Sequence, residues 1–133
     1  MLPPALFSPL FIMLAVRALT PAPEVHVGRD DMHRIGIAYH AYCDFTSQPP
    51  ANAEQLAPHL KNDRRLVNAL KNKDIVFFYD VPMTGAVPAT AGCSRTVLAY
   101  EKGAPTKGGW IVLFDGSARL LDPTEFKKFA LPK

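Results

Sequence analysis

Trp110-Ile111-Val112-Leu113-Phe114-Asp115-Gly116-Ser117-Ala118-Arg119-Leu120-Leu121 decides how this chain folds. Two five-residue runs, the first dense in β-branched and aromatic residues, flank Asp115-Gly116. Asp-Gly is favoured where both residues of a two-residue type I′ turn need positive φ. Counting outward from that turn predicts Phe114 opposite Ser117, Val112 opposite Arg119 and Ile111 opposite Leu120. One face then carries Ile111, Leu113, Ala118 and Leu120 and reads as core. The other carries Trp110, Val112, Phe114, Ser117, Arg119 and Leu121, with Trp110, Phe114 and Arg119 as the candidate interaction surface. Asp115 and Gly116 are assigned a structural role in the turn.

Working outward, Arg95 to Glu101 and Ile75 to Val81 are short β-branched and aromatic runs, the latter stopped by Pro82, and both read as strands. Pro82 to Ser94 and Lys102 to Gly109 are Pro/Gly-rich loops between them. After the hairpin, Asp122 as cap, Pro123 at the first helical position and Glu125 at the capping-box position open a last helix with Phe126, Phe129 and Ala130 inward. Ahead of the sheet, Asp30 to Cys43 has helical spacing, with Met32, Ile35, Tyr39 and Tyr42 or Cys43 on the side that meets the sheet and Asp30 or Asp31 at its start. Gly36 costs about 1 kcal/mol against Ala in a helix interior, so its position points to close approach of another element. Gln48-Pro49-Pro50 ends this helix. Asn52 with Gln55 starts a short second one, and Asp63 caps a third with Leu66, Val67 and Leu70 as its stripe. The expectation is an α+β fold: an amphipathic helix and short helices on a small antiparallel sheet of about four strands, closed by a short C-terminal helix.

The chain has 133 residues, 48% hydrophobic and 20% charged, enough for one domain with a real core. Its 13 prolines against 8 glycines sit mostly in connecting stretches. A net charge of +3 from 15 basic and 12 acidic residues lacks the concentrated basic footprint of nucleic-acid binding. The densest basic cluster, Lys61, Arg64, Arg65, Lys71 and Lys73, reads as a solvated helix face. Ala5 to Val16 has the length of a signal-peptide apolar core and is short for a membrane span, with Ala18 or Ala22 ending a cleavage site. Residues 1–18 are thus read as a signal peptide or apolar segment, 19–29 as a Pro-rich linker and 30–133 as one domain. Membrane contact is expected only through residues 5–16. Cys43 and Cys93 make one disulfide in an exported protein, closing a loop of about 50 residues for roughly 4 kcal/mol, or two buried thiols in a retained one.

Catalytic and metal chemistry find little footing. His33 and His40 lie on one side of the helix but roughly 10 Å apart, too far to share a metal. His40 and Asp44 lack a third ligand nearby. Cys43 beside His40 has only proximity to suggest a thiol nucleophile. Asp74, Asp80, Glu101 and Asp115 show no calcium-loop spacing. No catalytic residue, metal ligand or cofactor is assigned.

The order and wording of three stretches resemble the bacterial type IV pilin-like and type II secretion pseudopilin-like exported proteins, in particular a group with a C-terminal Asp-Gly signature. They are Met32 to Tyr42 with Pro49-Pro50 and Leu56 to Leu60 after it, then Thr96 to Glu101, and Val112 to Ser117. The likeness covers about residues 30 to 122. Ala5 to Val16 departs from the prepilin signature in being short, proline-interrupted and without its glutamate. One residue fewer separates Leu113 from Asp-Gly than in that group, which alters strand register. The resemblance implies a pilin-like fold, export to the periplasm or cell envelope, a non-enzymatic structural or secretion-associated role, and other proteins as partners. The alternative is a small extracytoplasmic ligand- or metal-binding module that uses the loop from Pro82 to Ser94 and the aromatic hairpin face.

Overall fold

The computed structural model describes residues 26–82 and 92–132. Their fold is α+β. Helix α1 (Arg29–Thr46) is followed by α2 (Ala53–Leu56), a 3-10 turn (Ala57–Leu60) and α3 (Arg64–Lys71). Strands β1 (Ile75–Phe77) and β2 (Val97–Glu101) come next, then α4 (Ala104–Lys107), β3 (Gly109–Leu113), β4 (Ala118–Leu121) and α5 (Pro123–Phe126). The sheet is an antiparallel meander in the order β1-β2-β3-β4. Among the described residues no helix is long and apolar enough to cross a membrane.

The helix boundaries follow from side chains that satisfy free backbone amides. Gly28 is the N-cap of α1, and the Asp31 carboxylate three residues on accepts the Gly28 N–H at 3.1 Å. Asp31 therefore closes the first turn from inside the helix, not from the cap position. Asn52 accepts the Gln55 N–H at 3.0 Å ahead of α2. Asp63 accepts the Arg65 N–H at 3.1 Å and the Leu66 N–H at 3.4 Å ahead of α3. Asp122 and Glu125 exchange hydrogen bonds at 2.7 and 3.2 Å around α5. This last helix is a single turn. Beyond it Ala130 leaves the helical path and pairs with Thr96, its N–H bonded to the Arg95 carbonyl at 2.9 Å and its carbonyl accepting the Val97 N–H at 2.9 Å.

The sheet separates two apolar clusters. On one face Met32, Ile35 and Tyr39 of α1, Leu56, Leu66 and Leu70 meet Leu98, Val112 and Phe114, all nearly or fully buried. On the other, Val97, Ile111, Leu113 and Leu121 are closed over by Ala104 of α4 and Phe126 of α5. Each large apolar side chain so buried stabilises the fold by about 1.5–3 kcal/mol. A β-bulge lets β2 serve both clusters. Val97 faces Leu113 and Ala99 faces Val112, so Leu98 is the extra residue and turns toward α1's side.

The hairpin register departs by one residue from the two-residue turn read in the sequence. Val112 faces Ala118, Ile111 faces Arg119, Trp110 faces Leu120 and Gly109 faces Leu121. The reason is a three-residue loop. Leu113 N–H bonds to the Ser117 carbonyl and Gly116 N–H to the Leu113 carbonyl, both at 2.9 Å, enclosing Phe114-Asp115-Gly116. Gly116 has φ of 90°, whereas Asp115 is absent from the positive-φ residues, so the geometry is a turn followed by a left-handed glycine instead of type I′. A one-residue slip reverses every side chain of one strand. Leu121 thus enters the core, while Leu120, expected inside, is 62% exposed. Ile111 and Leu113 share a buried face as expected.

The first strand is also shorter than Ile75 to Val81. Past Phe77 the chain turns: Asp80 adopts φ of 60°, and its N–H goes to the Pro50 carbonyl at 2.9 Å. Lys102 to Gly109, read as loop, contains the single turn α4.

Candidate functional site

The contact that organises the molecule lies between α1 and the β3–β4 loop. His33, Gly36 and His40 recur at helical spacing and present one narrow strip of α1 to that loop. His33 Nδ1 lies 2.9 Å from the Gly116 carbonyl, and His40 Nε2 lies 2.7 Å from the Phe114 carbonyl. A carbonyl oxygen only accepts, so each ring donates through the named nitrogen, and the partners assign the tautomers. Between them the helix meets the loop with no room for a side chain. A Cβ on Gly36 would stand 2.9 Å from Val112 Cγ2 and 3.1 Å from Gly116 Cα. Phe114, fully buried at the head of the loop, packs edge-on against Tyr39 with ring centroids 5.6 Å apart.

Both histidines thus fasten α1 to the hairpin loop. Each spends a ring nitrogen on a backbone carbonyl, and His40 is bonded to the loop and not to Asp44. Among the described residues no group of three or more His, Cys, Asp or Glu is placed to hold a metal ion. Asp115 keeps to the turn, its carboxylate accepting the Ser117 N–H at 2.9 Å and hydroxyl at 2.6 Å. Cys43 and Cys93 are free, half-buried thiols packed against the same cluster, so the disulfide expected for an exported chain is not formed here. Burial pushes the Cys43 thiol up, away from the thiolate that nucleophilic chemistry requires. Tyr39, whose hydroxyl donates to the Val81 carbonyl at 2.8 Å, is likewise held far above its ordinary range by burial and by the two neighbouring thiols.

The interaction surface read as Trp110, Phe114 and Arg119 does not form. Phe114 is buried, Trp110 is half-buried against the α1-side cluster, and the register shift sends Arg119 to the opposite face, where it lies over the Phe129 ring at 5.9 Å. Residues 83–91, most of the loop on which the ligand- or metal-module reading rests, lie outside the described residues, as do 1–25 with the apolar segment and most of the linker.

What is exposed instead is a strip of α1 facing away from the sheet. Ile37, Ala41 and Phe45 follow at four-residue spacing, and Ile37 and Phe45 are 52% and 84% exposed. Phe45 and Tyr42 flank His59, with ring centroids 6.5 and 5.9 Å from it. The spacing was legible in the sequence, but the inward side of the helix drew the reading.

Two ion pairs tie α1 to α3 and were also missed, because each joins distant segments. Arg34 bonds Asp63 at 2.9 Å and the Leu60 carbonyl at 3.1 Å. Arg65 forks onto Asp31 and reaches the His26 carbonyl. The guanidinium groups hold the carboxyls of Asp31 and Asp63 below their ordinary value. Arg65 and Lys71, the latter paired with Glu54, are thus not simply solvated.

Among the described residues two open clefts stand out. One lies at the β1–β2 end among Asp74, Glu101, Lys102, Thr106 and Lys107. The other, about 480 Å³, runs between β1 and the adjoining ends of α2 and α3. Tyr79 lines this second cleft. Burial pushes its hydroxyl up to about 12, and that hydroxyl has no hydrogen-bond partner among the described residues.

Comparison of the chain with protein-family models, curated proteins and solved structures returned no match.

Proposed function

We propose that this chain is a non-enzymatic, exported, pilin-like protein of the pseudopilin type, with a structural or protein-interaction role at the cell envelope or in secretion. The observation that carries the reading is the outward strip Ile37, Ala41, Phe45 on a helix whose opposite side is already consumed by the core. A helix apolar on two sides gains by burying the second against another helix, through ridges formed at four-residue spacing. The wording of the α1, β2 and hairpin segments, similar to pilin-like proteins, supports the same direction.

The test compares wild type with the double variant Ile37→Asp, Phe45→Asp in the native host. Envelope extracts are cross-linked and the proteins sized, with circular dichroism of purified protein reporting the fold. Wild type is expected in complexes that the variant leaves without loss of folded structure. Equal, monomeric behaviour of both overturns the interaction role. N-terminal sequencing of the same material tests export separately: Met1 intact on cytosolic protein contradicts it.

A further inference from the structure

The face of the sheet opposite α1 carries a basic patch. Phe129 packs half-buried on the cluster of Val97, Ile111 and Leu113, and two guanidinium groups lie over its ring, Arg95 at 5.1 Å and Arg119 at 5.9 Å from the centroid. Arg95 comes from the approach to β2 and Arg119 from β4, brought to this face by the hairpin register. Lys127 and Lys128 follow α5 directly before the ring, and Leu131 comes after it at 45% exposure. All four cations are exposed, and none has an ion pair among the described residues. The carboxylates of the same stretch are engaged in their own turns: Asp115 accepts from Ser117, and Asp122 and Glu125 each accept the other's backbone N–H. A cation over an exposed ring gains only modestly, so two like charges gathered there favour an anion from outside.

We infer that this patch is a docking surface for an anionic phospholipid bilayer, with the guanidinium and ammonium groups on headgroup phosphates and Leu131 and the exposed part of Phe129 at the acyl boundary. Basic residues near an anionic leaflet are each attracted to it, and apolar residues interleaved with them enter the headgroup boundary. A bilayer fits this place better than a small soluble anion, because the patch residues line neither of the two clefts and meet solvent as an open surface. It fits better than an acidic protein because Leu131 and Phe129 stand among the cations, where only a surface with an apolar layer beneath its charge uses both. The docking surface is separate from the α1 strip. A chain held to a bilayer by the α5 side of the sheet leaves Ile37, Ala41 and Phe45 on the opposite side, open to a partner. It also adds a second membrane contact to the one expected of residues 5–16.

The full chain is mixed with sedimentable vesicles of phosphatidylcholine alone, or of phosphatidylcholine with about 30% phosphatidylglycerol, and the bound fraction is followed against lipid concentration. The anionic vesicles are expected to bind about tenfold tighter or more, an advantage that fades as salt rises to about 0.5 M. Insertion of residues 5–16, being common to both lipids, drops out of that ratio. Arg119→Gln with Lys128→Gln is expected to cut the ratio about tenfold, and Lys127→Gln with Lys128→Gln, which leaves both ring contacts in place, by about as much. Ile37→Ser with Phe45→Ser, on the α1 strip, is expected to keep it. Circular dichroism checks that each variant is folded. Equal binding to the two lipids overturns the inference, as does an unchanged ratio in both charge variants. A ratio that collapses in the α1 variant overturns it by moving the bilayer to the other side. Soluble polyglutamate bound more tightly than the anionic vesicles also overturns it, by giving the patch to an acidic protein.

Discussion

The two ends of this sheet are treated in opposite ways. At the β3–β4 end the loop is held from above by His33 and His40, pressed against Gly36 and filled by Phe114. At the other end β1 is three residues long, and its outer main-chain groups face a cleft. Both regions lie against the same helical layer, so the difference is not one of burial: Ile75 is as buried as Phe114. It lies in polar satisfaction. The loop's carbonyls find ring N–H donors on α1, whereas the Ile75 and Phe77 amides, which alternate away from β2, have no hydrogen-bond partner among the described residues. A buried polar group without a partner costs about 1–3 kcal/mol, so the two ends differ in polar satisfaction more than in apolar packing.

The largest break in this contrast is expected from Phe114→Ala. Removing a fully buried aromatic costs about 3–5 kcal/mol, read as a lower urea midpoint with an unchanged slope. Next comes His40→Ala, which leaves the Phe114 carbonyl without its donor and is expected to cost about 1–3 kcal/mol, more than His33→Ala, because His33 is exposed. Gly36→Ala follows. Ala is the better helix former by about 1 kcal/mol, but its methyl overlaps Val112 and the Gly116 backbone. Overpacking of that kind costs about 1–3 kcal/mol, so thermal unfolding should show net loss of stability where an unobstructed helical glycine would show gain.

The smallest effect is electrostatic. Asp63 has its folded pKa lowered, first by the Arg34 hydrogen bond, and Asp31 is lowered chiefly by Arg65. Stabilisation from a depressed carboxyl is fully present above its unfolded value near 3.8 and is lost as pH falls through the lower folded value. Asp63→Asn keeps an N-cap acceptor while removing the charge. It should cost less than about 1 kcal/mol at neutral pH and flatten the loss of stability below pH 4, measured by urea titration across that range.

The helical half was readable because its signals are local. Asn52, Asp63 and the Asp122–Glu125 pair cap amides two or three residues away, and Gly36 declared a close approach before its partner was known. The hairpin existed in the sequence, but its register did not. Asp-Gly suits both a two-residue turn and a three-residue loop ending in a left-handed glycine, and the choice rests on Phe114 being drawn beneath α1. That is a tertiary reason, invisible to pattern. The interaction surface failed with it, since its three residues shared a face only in the other register. The histidines could be placed on one side of α1 from their spacing. Their partners could not be named, being backbone carbonyls 83 and 74 residues away.

Residue-resolved amide hydrogen exchange on the unliganded chain tests the contrast between the two ends most directly. The Leu113 and Gly116 amides, bonded within the clamped hairpin, should exchange only with global unfolding, while those of Ile75 and Phe77 should exchange orders of magnitude faster than their neighbours Val76 and Phe78. Equal protection at all four positions from Ile75 to Phe78, or a hairpin loop that opens ahead of the rest, would contradict the account.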